Sequence, residues 1–512
     1  MKNRVTQLNL LIMILLLAIG TSCSPTSKSK KETVNKPNIL WIIAEDLSPF
    51  MGCYGDSINA GHTPVIDQLA SEGVLFKRAY ATAPVCSASR SAMITGMMQT
   101  TTGTHNHRSS RYTNGEVVPE ELRIRLPKGL KTIPELMKEA GYFTFNSGKD
   151  DYNFHYDRRA LYDTGTKAEY VAGMNGWQGN FAVDYMSYKV GNWSDRKDKN
   201  QPWFGQMQLM GGKKDSKYVR GGEKLATNDV PLPPYFPNIE SQRKAWTDHY
   251  NANRGSDVKV EELLAQLKAD GELENTIIFF FSDHGSNTSL RHKQFCYEGG
   301  MQVPLMIKGD IPSLKAGEVR NDLVSLLDVS ATTLAMGGAE MPAYLDGRDL
   351  FAKDLKEEYY IIGARDRCDY TIDRIRTVVS KDFRYIKNYF PERPMMQAGY
   401  RDKKLIVKDL KKLHKEGKLT PYQDAHWFGV KPVEELYDLK NDVHQMNNLA
   451  LDPTYSKILE EHRTVLSQWE EKTDDQGKYP EASVQLKATY DMWKDRPRFK
   501  NAKINPEYDQ FK

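Results

Sequence analysis

The chain of 512 residues is long enough for one large core and a smaller second unit, and its 39% hydrophobic and 27% charged residues make an ordinary soluble globular composition. Lysine plus arginine number 71 against 67 for aspartate plus glutamate, a formal net charge of +4. A nucleic-acid binder carries a concentrated basic excess, so that class is excluded, and any preference for anions must come from a local site.

Lys2 and Arg4 precede an apolar run from Leu10 to Ile19, followed by small residues and Cys23. This is the layout of an export signal, and the run falls well short of the roughly 20 residues that span a bilayer. Gly20-Thr21-Ser22-Cys23 resembles a bacterial lipoprotein cleavage site, although Gly20 stands where leucine is usual. Residues 1–23 are then a signal peptide ending in a lipidated Cys23, with simple secretion as the alternative. The stretch 24–36, rich in Ser, Lys, Thr and Pro, cannot pack a core and reads as a tether. An exported protein follows, periplasmic or at the outer membrane of a Gram-negative bacterium, touching the membrane only through its lipid. Cys53, Cys86, Cys296 and Cys368 are too sparse for a disulfide-dense scaffold, and their spacing pairs none of them.

Asn38 to Ala44 is a continuous apolar run of strand length, the pattern of a strand buried on both faces. Thr63 to Gly73 predicts a helix, with Thr63 as its cap and Pro64 in its first turn. Val74 to Tyr80 reads as extended, Ser89 to Thr95 as a helix stopped by Gly96, and Ile133 to Ala140 as another. Tyr142 to Asn146 is a strand, Val258 to Lys268 an amphipathic helix, and Thr276 to Phe281 a further strand. This alternation predicts an α/β fold, a large and mostly parallel sheet covered by helices on both faces. After Asp346-Gly347-Arg348 the texture changes to short strand-like runs in a charged background: Tyr359 to Ile362, Ile375 to Val379 and Phe383 to Ile386. A helix near Tyr455 to Glu471 precedes a polar tail. The boundary is placed near residue 350, giving a catalytic domain over 37–350 and a smaller C-terminal α+β subdomain over 351–512.

Two strands end alike. Asn38–Ala44 runs into Glu45-Asp46, and Thr276–Phe281 runs through Ser282 into Asp283-His284-Gly285. Ligand sites of open parallel sheets lie beyond the carboxyl ends of strands, and buried carboxylates need a partner. Glu45, Asp46, Asp283 and His284 therefore form a candidate site for a hard divalent cation. Calcium favours oxygen ligands, and His284 leaves magnesium, manganese or zinc open. Cys86 lies at the entrance of the Ser89–Thr95 helix, where free N–H groups favour an anion and lower a thiol's pKa. Arg90, four residues on, can turn a planar fork to the same side.

Cys86-Ser87-Ala88-Ser89-Arg90 resembles the signature of the sulfatases, Cys-x-Pro/Ala-x-Arg, whose cysteine is oxidised to formylglycine before export. Asn38 to Asp46 is similar to that family's first strand, and Thr63 to Phe76 to its next helix and strand. Gly148-Lys149 matches its glycine-lysine strand end. Ser282 to Gly285, with Lys293 and Tyr297 to Gly300, matches its late metal and lysine motif, and Glu435 to Leu449 its C-terminal hallmark. The resemblance spans residues 37 to 475 and is nearest to the heparan N-sulfatase-like and iduronate-sulfatase-like bacterial members. It implies an alkaline phosphatase-like fold, a C-terminal antiparallel sheet, and hydrolysis of sulfate esters or N-sulfate on a glycan. It also implies one calcium ion on Glu45, Asp46, Asp283 and His284, Glu45 standing where aspartate is usual. Residue 86, as an aldehyde hydrate made by a maturating enzyme, would attack sulfur, with Arg90, Lys149 and Lys293 holding charge.

Two family histidines are missing. Asp151 stands two places after Lys149, and the stretch Pro202 to Lys213 contains no histidine. The acid that protonates the leaving group is therefore open among Lys213, His105 and His107. Arg365, Arg367 and Asp369 form a charge cluster that would read substrate hydroxyls or carboxylates. The competing readings are a phosphodiesterase or phosphonate hydrolase of the same superfamily, and a glycan-binding lipoprotein without catalysis.

Overall fold

The first strand, β1 (Asn38–Ala44), is buried at every residue. Its alternate side chains divide between two cores: Ile39, Trp41 and Ile43 enter one, Leu40, Ile42 and Ala44 the other. A strand that must bury both faces has no polar positions to spare, which is why the run is uninterrupted. The same division holds in its neighbour β5 (Thr276–Phe281), where Ile277, Phe279 and Phe281 face the first core and Ile278 and Phe280 the second.

The computed structural model describes residues 36–109, 119–164, 191–500 and 502–512. The expected signal, Cys23 and the tether up to residue 35 lie outside the described residues. The other strands of the large sheet are β2 (Val74–Tyr80), β3 (Phe143–Ser147), β4 (Trp203–Leu209), β6 (Gln302–Val303), β7 (Leu305–Lys308) and β8 (Glu318–Ser325). Their order is β3-β4-β1-β5-β7-β2-β6, with β8 beside β2. The run β3-β4-β1-β5 is parallel throughout, so the chain leaves all four strands at one rim. A second sheet of β12 (Glu434–Asp438), β11 (Phe383–Asn388), β10 (Ile375–Val379) and β9 (Ile361–Arg365) is antiparallel. This is the expected fold class, a large and mostly parallel sheet with a small antiparallel one. The stretch Pro37–Lys512 makes one compact unit.

Several local expectations change. Thr63 precedes helix Pro64–Glu72 without capping it: its hydroxyl accepts from Gly52 N–H and lies 3.2 Å from Asp67 Oδ1. The helix read over Val258 to Lys268 is the C-terminal part of Glu240–Ala269, 30 residues long. The part before Val258 buries His249, Asn251, Asn253, Arg254 and Asp257 alongside Trp246, Tyr250 and Ala252, so no continuous apolar stripe announces it. Gly255 lies there because a Cβ would sit 1.8 Å from the Asp215 carbonyl oxygen. The segment read as a polar tail folds into helix Ser483–Trp493, whose Leu486 and Trp493 pack with Tyr370, Phe499 and Tyr508. Cys53, Cys86, Cys296 and Cys368 are free thiols. Among the described residues no helix is long and apolar enough to cross a membrane.

The Gly255 crossing carries a titratable group. Burial pushes the Asp215 carboxyl up to about 7, although Ser256 Oγ and Gly211 N–H donate to it at 3.0 and 2.8 Å. An unfolded aspartate titrates near 3.9. The folded state therefore binds this proton more tightly, and the contribution is whole below about pH 4 and lost as pH rises through about 7. Asp215→Asn keeps the acceptor and removes the charge. Its stability, read by the thermal midpoint, should gain on the wild type as pH rises from about 4 to 7, by at most about 4 kcal/mol for a shift of roughly three units. A midpoint difference that stays constant across that range would contradict the assignment.

Candidate active site

Each of the four parallel strands delivers site residues where it ends. After β1 come Glu45 and Asp46, after β5 Asp283 and His284, after β3 Lys149, and after β4 Gly211-Gly212-Lys213. Asp46 adopts a left-handed backbone (φ 57°), costly for a residue with a Cβ, and its N–H is held by Asp283 Oδ1 at 3.0 Å. A Cβ on Gly211 would lie 2.2 Å from the Glu45 carbonyl oxygen, and one on Gly212 2.1 Å from that of Asp46. Only glycines let this turn close onto the acidic pair, and the closure brings Lys213 Nζ within 2.6 Å of Glu45 Oε1.

The fifth contribution is helix Cys86–Thr95, which starts at Cys86 itself and ends on Gly96 in the left-handed conformation. Ser89 Oγ donates to the Asp283 carbonyl at 2.7 Å, and Arg90 Nε donates to Asp283 Oδ2 at 2.9 Å. Arg90 Nη1 also reaches Gln208 Oε1 at 2.8 Å and the Lys149 carbonyl at 3.2 Å. Arg90 is thus an anchor joining helix, β4 and β5.

Around the Cys86 sulfur stand Lys293 Nζ at 2.9 Å, His284 Nε2 at 3.1 Å, Glu45 Oε1 at 3.6 Å and Asp46 Oδ1 at 3.8 Å. Ligand atoms of Asp46, Cys86, Asp283 and His284 all lie within 4.8 Å of one another, and all four residues are buried. His284 Nδ1 donates to the Gly285 carbonyl at 2.8 Å, which turns Nε2 to the cluster, 3.2 Å from Asp46 Oδ1. Lys293 also pairs with Asp46 at 2.9 Å, and Lys149 pairs with Glu45 and, at 3.0 Å, with Asp151.

These charges decide the protonation states. Burial alone raises the Cys86 thiol, but Lys149, Lys293 and His284 outweigh it and hold it well below the ordinary thiol range. Burial likewise opposes ionisation of Glu45, and Lys149, Lys213, Arg90 and Lys293 reverse it, keeping the carboxyl well below its usual range. Asp46 is depressed in the same way against burial, chiefly by Lys293, then Lys213 and His284.

The remaining sequence candidates divide. Asp151, also left-handed (φ 55°), takes two bonds from Arg108, at 3.0 and 2.9 Å. A ring nitrogen of His107 falls within 4.8 Å of both the Cys86 sulfur and an Asp151 oxygen. His105 is absent from the group around Cys86 and lines a cavity of about 510 Å³ with Arg367, Arg374 and Glu481. Arg365 and Arg367, expected as readers of substrate, are buried on protein partners. Arg365 meets Asp373 at 3.0 Å, and Arg367 donates to both oxygens of Glu481, at 2.5 and 2.7 Å, and to Ser109 Oγ at 2.8 Å. Asp369 accepts from His107 Nδ1 at 3.1 Å.

Sequence reasoning missed Arg108, Gln208 and Asn287. Asn287 donates through its amide to Asp46 Oδ2 and receives Lys404. Its one sequence signal is its place in the loop just after Asp283-His284-Gly285.

A carboxylate and imidazole cluster around one ionisable side chain, at the carboxyl rim of an α/β sheet, defines a hydrolase site for an oxyanion ester. A family model described as Sulfatase matches residues 37–339. An ulvan-active sulfatase of Formosa agariphila is 30% identical over 515 residues, covering 93% of this chain and 83% of its own. The N-sulphoglucosamine sulphohydrolase of Homo sapiens is 25% identical over 86% of this chain and 90% of its own. A solved 2-O GAG sulfatase superposes with a TM-score of 0.60 at 21% identity, over 88% of this chain and 96% of its own, a likeness of fold. The chain belongs to the sulfatase family and is a sulfuric ester hydrolase.

Proposed function

We propose that this protein removes sulfate groups from a sulfated polysaccharide of the ulvan kind, using a formylglycine at position 86 beside one calcium ion. The observation that carries the reading is the convergence on the Cys86 sulfur of Lys293, His284, Glu45 and Asp46 within 3.8 Å. Two relatives named as ulvan-active sulfatases, 30% and 25% identical, support the substrate class.

The donor set fits the ion. Three carboxylates, Glu45, Asp46 and Asp283, supply hard oxygens, and the Gly285 bond fixes His284 with Nε2 turned inward. When bound, calcium supplies positive charge that polarises sulfate oxygens and favours an ionised attacking hydroxyl. Position 86, once its thiol has become a hydrated aldehyde, provides that hydroxyl. Lys149 and Lys293 offset the charge of the hydroxyl and of the sulfate oxygens. Arg90 holds Asp283 in place. Among the site's cations, Lys213 and Arg108 reach solvent, with side chains 27% and 16% exposed against at most 4% for Lys149, Lys293 and Arg90, so an anionic polymer meets positive charge on entry.

Export before or during folding, a lipid on Cys23, and a maturating enzyme that oxidises Cys86 complete the proposal. The Leu10 to Ile19 run and Gly20 to Cys23 support the first two. The test is mass spectrometry of the Cys86 peptide from the native host, paired with ion chromatography of sulfate released from ulvan. An aldehyde mass and released sulfate are expected. An unmodified thiol in active protein, or faster turnover of the matching phosphate ester, would refute it.

A further inference from the structure

Breaking a sugar–sulfate bond leaves an alkoxide unless a proton arrives with the bond cleavage, and neither Asp151 nor the stretch after β4 offers a histidine for it. Besides His284, which belongs to the acidic cluster, a second buried imidazole stands at the nucleophile. His107 is 1% exposed, a ring nitrogen of it lies within 4.8 Å of the Cys86 sulfur, and its Nε2 has no hydrogen-bond partner among the described residues. An unsatisfied buried ring nitrogen is costly, and one on a ring beside a reaction centre is the arrangement expected of a group whose partner is the substrate. Its other nitrogen, Nδ1, meets Asp369 Oδ2 at 3.1 Å, and a carboxylate there makes Nδ1 the donor.

The surroundings hold this ring in one place. His107 N–H donates to the Arg367 carbonyl at 2.8 Å, Arg367 N–H donates to Asn106 Oδ1 at 3.1 Å, and Asp369 is left-handed (φ 48°). Arg367 is itself locked on Glu481. The cluster Arg365 to Asp369 thus braces a histidine instead of meeting solvent. Lys213, the rival donor, has its ammonium on Glu45 at 2.6 Å.

We propose that His107 is the catalytic acid that protonates the leaving group, with Asp369 as its positioning residue; this rests on the sulfatase reading above. As the bond from sulfur to the position-86 oxygen forms, the bond from sulfur to the leaving oxygen breaks and its electron pair stays on that oxygen. The proton on His107 Nε2 passes to it, a neutral alcohol departs, and His107 remains as neutral imidazole with Nδ1–H on Asp369. Water returns the proton.

The test uses a series of sulfate esters, from 4-nitrophenyl sulfate to sugar sulfates, on the mature enzyme. His107→Ala should lose about 10²–10⁴-fold on sugar sulfates and far less on the nitrophenyl ester, whose leaving group needs no proton. The plot of log kcat/KM against leaving-group pKa should steepen, and added imidazole should restore part of the lost rate. Asp369→Asn should steepen the same plot by less, through kcat with KM held. His107→Gln, which keeps a polar contact for Asp369 but has no acidic proton, serves if the alanine variant does not fold. Equal losses on every ester, or a plot steepened by Lys213→Ala and not by His107→Ala, would overturn the assignment of His107 alone. A wild-type enzyme inert toward the whole series would overturn the sulfatase reading with it.

Discussion

Cys86→Ala should abolish turnover, lowering kcat/KM on every sulfate ester by about 10⁵-fold, the scale on which removing a covalent nucleophile acts. The protein should survive the change. The helix keeps its Gly96 stop and its Ser89 and Arg90 anchors on Asp283, and Lys293 retains Asp46 at 2.9 Å. A thermal midpoint within a few degrees of the wild type, beside undetectable sulfate release, is the expected pair of readings. Residual activity within tenfold of wild type would remove position 86 from the chemistry. A collapsed midpoint would instead make the thiol a packing element, which its place among four polar groups argues against.

Asp283→Asn should weaken both the site and the fold. Asp283 accepts from Arg90 Nε at 2.9 Å and from Asp46 N–H at 3.0 Å, and its carboxyl is held low against burial by His284 and Arg90. Neutralising it leaves the Arg90 guanidinium buried without its counter-charge, a loss of about 3–5 kcal/mol by the usual cost of breaking a buried pair. The same carboxylate belongs to the proposed calcium site. In the wild type, calcium at about a hundred times its dissociation constant should raise stability by roughly 2.7 kcal/mol, and a chelator should abolish both this gain and the activity. In Asp283→Asn the gain should vanish at that calcium concentration. A wild-type midpoint indifferent to calcium and chelator would dismiss the ion.

Much of this site was legible because its residues follow the strands directly. β1 and β5 are apolar on both faces, so Glu45, Asp46, Asp283 and His284 stand out as the first charges after them. The Cys86 helix declared itself through small residues and Gly96. What stayed hidden depends on distance along the chain. His107 and Asp369 are 262 positions apart, and Arg108 reaches Asp151 across 43, so neither pair leaves a local mark. The long helix from Glu240 escaped because polar residues interrupt its buried face before Val258, and the segment after residue 471 because Trp493, Phe499 and Tyr508 are diluted by charged neighbours. Arg365 and Arg367 look in sequence like any surface cluster. Only their partners, Asp373 and Glu481, show them to be internal struts.

The Glu481 contact also sets an order of events during synthesis. The residues named around Cys86 all precede it, so Arg367, whose carbonyl holds His107 N–H, cannot be fully braced until the ribosome has passed that codon. Under the proposed modification, an enzyme that oxidises Cys86 would therefore meet that segment before this late clasp has fastened.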